Sequence, residues 1–326
     1  MIGKDVQKAA ELLRAGQVVA IPTETVYGLA GNALDLGAVS EIFAVKQRPS
    51  FDPLIIHLAD YAQMPRYVSE IPDILQTLAQ KFMPGPLTLL LKKKSIIPDL
   101  VTAGSALVAV RLPVHPLSQS LLKILDFPLA APSANPFGYI SPTTAQHVAQ
   151  QLGAKIPYIL DGGPAEVGLE STIVGIEGGK VTIFRKGGLS VEEIEREIGP
   201  VVVKSSSSSN PKAPGMLKSH YAPRTPFRLD LSLEGGLKNY DPKELGLLAF
   251  RQKSPLIPDG QQIILSPSGD YKEAARRLFA AMRQLDQLNL KLIIAEWLPE
   301  QDLGRAINDR LRRAAVQEAS PNGDED

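Results

Sequence analysis

Two cations and a histidine stand in one largely apolar span, IFAVKQRPSFDPLIIHLAD, residues 42–60. Lys46 and Arg48 close a stretch with helical periodicity. Cations at a helix C-terminus meet the dipole favourably, by roughly 0.3–1 kcal/mol. The sharper chemistry for an ammonium and a guanidinium two residues apart is to grip an anion, phosphate above all. In LIIHLA, strand alternation puts Leu54, Ile56 and Leu58 on one face and Ile55, His57 and Ala59 on the other. A lone histidine there is a core residue or a ligand group. In LVAVRLP the same period groups Val108, Val110 and Leu112 against Leu107, Ala109 and Arg111. An arginine inside a strand needs a carboxylate or phosphate partner, from a substrate or from a structural Asp or Glu. Two polar turns add to these: PTETVYG from Pro22, with two hydroxyls and a carboxylate, and APSANPFGYISPT from Ala131, with Ser133, Asn135 and Ser141 on a proline-fixed loop. The first is a site turn or an ordinary helix-capping turn; the second suits close contact with phosphate oxygens or a ribose, or a plain surface turn.

These residues need elements to position them. Periodicity predicts helices at Asp5–Ala15, 36–45, 71–82, 116–125 and 143–152. Strands are expected at Val18–Ile21, PLIIHLA, PLTLLLKKK, ALVAVRLP, PLAAPSA, PYILDGG, STIVGIE and KVTIFRKG. That is a mixed α/β domain. VKSSSSSNPKAPG, with its five consecutive serines, reads as a linker. Beyond it LGLLAFRQ, YKEAARRLFAAMRQLDQLN and KLIIAEW make a β-α-β unit, and LGRAINDRLRRAAV a terminal helix. QEASPNGDED reads as a solvated acidic tail. The expected division is a catalytic domain 1–203, a linker 204–225 and a smaller domain 226–326.

Composition closes several alternatives. In 326 residues, 35 Lys+Arg balance 35 Asp+Glu, which disfavours a broad nucleic-acid-binding surface. The absence of cysteine removes disulfides and thiolate metal sites, and four histidines offer little for zinc. A reducing, cytoplasmic setting is the expectation. No run reaches membrane-span length, and the charged opening MIGKDVQKAAELLRAG does not read as a signal peptide. There is no P-loop, no G-x-G-x-x-G between strand and helix, and no G-x-S-x-G elbow.

In order, PTETVYGL, Lys46-x-Arg48, PLIIH, VAVRLP, Ser133-x-Asn135, GLESTIV and RKG resemble the YrdC-like family. PGMLKSHYAP, after a Ser-rich stretch, is similar to the two-domain form with an extra C-terminal Sua domain. The resemblance implies a twisted, open mixed sheet of the YrdC-like type, with a smaller Rossmann-like α/β domain. It also implies an L-threonylcarbamoyladenylate synthase activity, a nucleotidyltransfer. L-threonine, bicarbonate or CO2, and ATP give threonylcarbamoyl-AMP and pyrophosphate, for threonylcarbamoyladenosine beside the anticodon of tRNA.

By the same resemblance, Lys46, Arg48 and Arg111 carry catalysis, with Lys46 and Arg48 on the ATP phosphates and Mg²⁺ accompanying ATP. Thr25, His57, Arg111, Ala131 and Ser171 form the threonine site. Asp52, Leu107, Ser133, Asn135, Ser141 and Arg185 line the ATP side, and His220 and Tyr221 close over the nucleotide from the linker. The product would pass to the tRNA threonylcarbamoyl transferase machinery, with direct tRNA binding weak. A hydrogenase-maturation carbamoyltransferase, a rival reading, adds zinc-binding cysteines that this chain lacks. A tRNA-binding module, the rival from another class, would show steep salt dependence.

Overall fold

A computed structural model of the chain describes residues 1–204, 220–230 and 240–315. The serine run read as a linker and the acidic tail lie outside the described residues. Two compact units are present: residues 1–137 and 141–204 form the first, and residues 138–140 with those from 220 onward form the second.

The first unit runs β1 (Ile2–Gly3), α1 (Val6–Arg14), β2 (Val19–Ile21), β3 (Gly28–Asn32), α2 (Leu36–Lys46), β4 (Ile55–His57), α3 (Asp73–Phe82), β5 (Leu87–Lys92), α4 (Asp99–Thr102) and β6 (Leu107–Arg111). It continues α5 (Pro116–Lys123), β7 (Leu129–Ala130), α6 (Ala145–Leu152), β8 (Tyr158–Leu160), β9 (Thr172–Glu177), β10 (Lys180–Arg185), α7 (Val191–Ile198) and β11 (Val202–Val203). Its strands make one mixed sheet in the order β1-β8-β2-β3-β7-β4-β6-β5-β9-β10-β11. Three of the helices are set by short side chains at their starts. Asp5 caps α1, Asp35 caps α2, and Ser190 with Glu193 forms a capping box on α7, each satisfying backbone N–H groups that lack helical partners.

The sheet separates two apolar layers. Leu54, Ile56 and Leu58 of the β4 region and Val108, Val110 and Leu112 of the β6 region enter the main core, which α2, α3, α6 and α7 cover with Ile42, Leu78, Val148 and Ile194. On the opposite face α1 and α5 bury Leu13, Leu121 and Leu122 against β2, β3 and β8. Farther along that face Ile55, Leu90, Ala109, Ile173 and Phe184 form a cluster built from strand residues alone, with Leu107 packed on it. The alternation read from the sequence holds in both strands. His57 and Arg111 are directly paired in the parallel β4–β6 register.

The second unit holds a wholly parallel sheet in the order β12-β15-β13-β14, from β12 (Phe227–Asp230), β13 (Leu245–Ala249), β14 (Gln262–Ile264) and β15 (Leu292–Glu296). Helix Tyr271–Asp286 buries Ala275, Leu278, Phe279 and Met282. Residues 138–140 belong to this unit: Tyr139 donates to Asp286 at 2.6 Å, Arg283 donates to the Ile140 carbonyl, and the Ala222 N–H donates to the Gly138 carbonyl at 2.9 Å.

Candidate active site

On the face that carries the strand-only cluster, polar side chains converge at the end of β6. Arg111 is buried and its Nη2 donates to Glu24 Oε1 at 2.6 Å, while Nε donates to the Gly85 carbonyl at 3.4 Å. Glu24 comes from the turn after β2, where the Thr23 hydroxyl donates to the Val26 carbonyl and meets the Thr25 hydroxyl at 2.8 Å. The second oxygen of Glu24 accepts from the Val114 N–H at 3.2 Å. Glu24 therefore fixes the fork of Arg111, and Arg111 Nη1 makes no hydrogen bond among the described residues. His57 is buried beside it. Burial, and next the Arg111 charge, hold its pKa down at about 3, so it is neutral over the ordinary pH range.

Across β5 and β9, Thr88 and Ser171 share a hydroxyl hydrogen bond of 2.7 Å. Arg185, at the end of β10, donates to the Ser171 carbonyl at 3.1 and 2.9 Å and to its hydroxyl at 3.0 Å. The approach is close because Gly187 has no side chain: a Cβ there would stand 2.2 Å from the Glu170 carbonyl oxygen. Ser141 donates to Glu170 at 2.5 Å, joining the 131–143 loop to the same neighbourhood.

Lys46 ends α2, and its ammonium donates to the carbonyls of Ser133 and Asn135, each at 2.5 Å. This cation thus holds the Ser133-x-Asn135 loop by its main chain. Burial, then the nearby Arg48, push its pKa well down, against the opposite pull of Asp52. Arg48 pairs with Asp52 at 2.8 Å and donates to the Asp52 and Pro53 carbonyls, so it pins the chain entering β4. Gln47 between them has φ 55°, the left-handed turn that brings both cations to the helix end.

Of the residues singled out from sequence, Thr25, His57, Arg111, Ser171 and Arg185 lie in or beside the β6 cluster. Ala131, buried, donates its N–H to the Ile55 carbonyl at 3.0 Å. Lys46, Ser133 and Asn135 form a second group, and Arg48 with Asp52 a third. Leu107 sits at the opposite end of β6 from Arg111. His220 and Tyr221 lie in the second unit, where Tyr221 stacks on Phe279 at 5.4 Å and Arg310 and Arg313 lie over its ring at 5.3 and 4.9 Å. Glu24, Thr88 and Glu170 were not among the site residues read from sequence. A carboxylate in a turn has no periodicity to betray it, whereas Thr88 could have been found as the polar residue of PLTLLL on the Leu90 face.

A family model described as "Telomere recombination", for Sua5, YciO and YrdC proteins, matches residues 11–187. The chain belongs to the Sua5/YciO/YrdC family. A second model, described as "Threonylcarbamoyl-AMP synthase, C-terminal domain", matches residues 189–316, so the chain is of the two-domain form. The threonylcarbamoyl-AMP synthase of Pyrococcus abyssi is 40% identical over 324 residues, covering 94% of this chain and 93% of the relative. That of Bacillus subtilis is 38% identical, covering 95% and 92%. The crystal structure of P. abyssi Sua5 complexed with L-threonine superposes with a TM-score of 0.88 at 37% identity, covering 97% of both chains.

Proposed function

We propose that this family member condenses L-threonine, bicarbonate or CO2, and ATP into L-threonylcarbamoyl-AMP with release of pyrophosphate, for threonylcarbamoyladenosine in tRNA. The observation that carries the reading is Arg111. It is a buried guanidinium, aimed by Glu24, with one nitrogen left for a carboxylate, in a chain alike over 94% of its length to a synthase of that name. Threonine's carboxylate would take Arg111 Nη1, and the Thr88–Ser171 hydroxyl pair would face the rest of the amino acid. Arg185, Arg48 and the loop held by Lys46 would line the triphosphate. Mg²⁺ would enter on ATP: among the described residues no group of three or more His, Asp or Glu stands ready to hold a metal by itself.

The proposed chemistry needs no protein nucleophile. The ammonium of threonine loses a proton, and the amine adds to CO2, its nitrogen shedding a second proton to give a carbamate. A carbamate oxygen then bonds to the α-phosphorus as the bond to pyrophosphate breaks. With its pKa at about 3, His57 is a weak base, so both protons leave to water. Fixed cations stabilise the charge on the departing pyrophosphate without reorganising.

The test is pyrophosphate release from ATP by the purified chain. Release should require both threonine and bicarbonate. Arg111→Ala, checked for folding by circular dichroism, should raise KM for threonine roughly 10- to 100-fold, the worth of a charge-assisted pair. Release indifferent to threonine would overturn the reading.

A further inference from the structure

The second unit contains an open cavity of about 620 Å³ that none of the candidate site residues above lines. It lies where the topology of a parallel sheet puts ligands. Chain leaving β13 turns one way to β14, whereas chain leaving β15, on the other side of β13, turns the opposite way into helix Gly304–Ala315, which packs on β12. Such divergence opens a crevice beyond the carboxyl ends of the two strands. Phe250 and Arg251 follow β13 directly, Glu296 and Trp297 end β15, and Gly269 and Tyr271 come from the entry to the helix behind them.

The chemistry of the walls narrows the ligand. Tyr271, stacked on Phe250 at 5.3 Å, and Trp297, whose ring has the Arg312 guanidinium over it at 5.0 Å, supply flat surface suited to a ring. Glu296 Oε2 is held by the Phe250 N–H at 2.7 Å, and Oε1 has no partner among the described residues, leaving a fixed acceptor for hydroxyl donors. Phosphate is disfavoured, because the carboxylates Glu296 and Glu300 outnumber Arg251, the one cation of the wall. The first N–H groups of helix Tyr271–Asp286 are taken by Asp270, which accepts from Lys272 at 2.7 Å and Glu273 at 3.1 Å, and Glu273 adds negative charge. A compact cation does not fit well either, because the Arg251 guanidinium lies across Gly269 in the wall and forms no ion pair among the described residues. A flat ring carrying hydroxyls and no phosphate meets all these conditions, and the volume suits a ligand larger than an amino acid.

We propose that this crevice binds a nucleoside lacking phosphate, with its base on the Tyr271–Trp297 side and its ribose hydroxyls on Glu296. Nothing in it depends on the reaction proposed above. Trp297 is the only tryptophan in the chain, so its fluorescence reports on the crevice directly. Titration of the full chain with adenosine, guanosine, cytidine and uridine should give a saturable change for at least one of them. Tyr271→Leu and Glu296→Gln should each weaken it by roughly tenfold, the scale of one base stack or one charged hydrogen bond. The 2′,3′-dideoxy form should bind more weakly and the 5′-monophosphate no more tightly. Arg111→Ala, in the other unit, should leave the signal unchanged. Calorimetry with the same nucleosides covers a silent tryptophan. No binding heat, heat unmoved by both crevice variants, or a monophosphate that binds more tightly than its nucleoside would overturn the proposal.

Discussion

His57 has a pKa held far from that of a free imidazole, and this has a measurable consequence. The unfolded chain takes up a proton near the ordinary value of 6.5, whereas the folded chain refuses it until about 3. Between those values the unfolded state binds more protons, so stability rises with pH through the window and levels off above it. The slope from this one group is at most about 1.4 kcal/mol per pH unit. Urea unfolding across the window should show this contribution in the parent chain and not in His57→Gln; equal slopes would show that His57 is not the titrating group. His57 and Arg111 were both legible in the sequence because a strand side chain shares its face with neighbours two away. What lies across the sheet from them was not. Glu24 reaches Arg111 from 87 positions away, and no local pattern records that pairing. Lys46 was read as a phosphate ligand, and the structure gives its ammonium two main-chain carbonyls, a partner choice that residue type cannot reveal.

At the level of elements, the turn after β10 decides whether Arg185 reaches Ser171. Gly187→Ala would press a methyl group into the Glu170 and Ser171 main chain, which cannot yield as a side-chain tip would. Stability should fall by about 1–3 kcal/mol in denaturant unfolding, with pyrophosphate release lost along with the Arg185 contacts. A variant as stable and active as the parent would mean that the turn has room to move. The long helices were legible from spacing and caps. The misses were the one-turn α4, α7, whose capping box at Ser190 and Glu193 was available to be read, and strands β1, β3, β11, β12 and β14. The sequence of β3, GLAGN, carries glycine and asparagine, which disfavour strands. It pairs with both β2 and β7 because the sheet surrounds it, and tertiary context overrides its weak propensity. The other four strands are only two to four residues long, too short for any period to register.

For the whole molecule, the boundary between units is not a single point in the sequence. Nothing in GYI announced that residues 138–140 leave the first unit. Tyr139→Ala should therefore act on the second unit although it sits in the first half of the chain. Native-state hydrogen exchange should show helix Tyr271–Asp286 losing about 2–3 kcal/mol of protection while β5 and β6 keep theirs. Loss in β5 and β6 instead would refute the assignment. The same excursion has a bearing on synthesis at the ribosome. Tyr139 emerges 147 residues before Asp286, its hydrogen-bond partner. At about 5–20 residues per second, that is a wait of roughly 7–30 s. When this three-residue segment emerges, its partners in the second unit do not yet exist, and they arrive only with the second half of the chain.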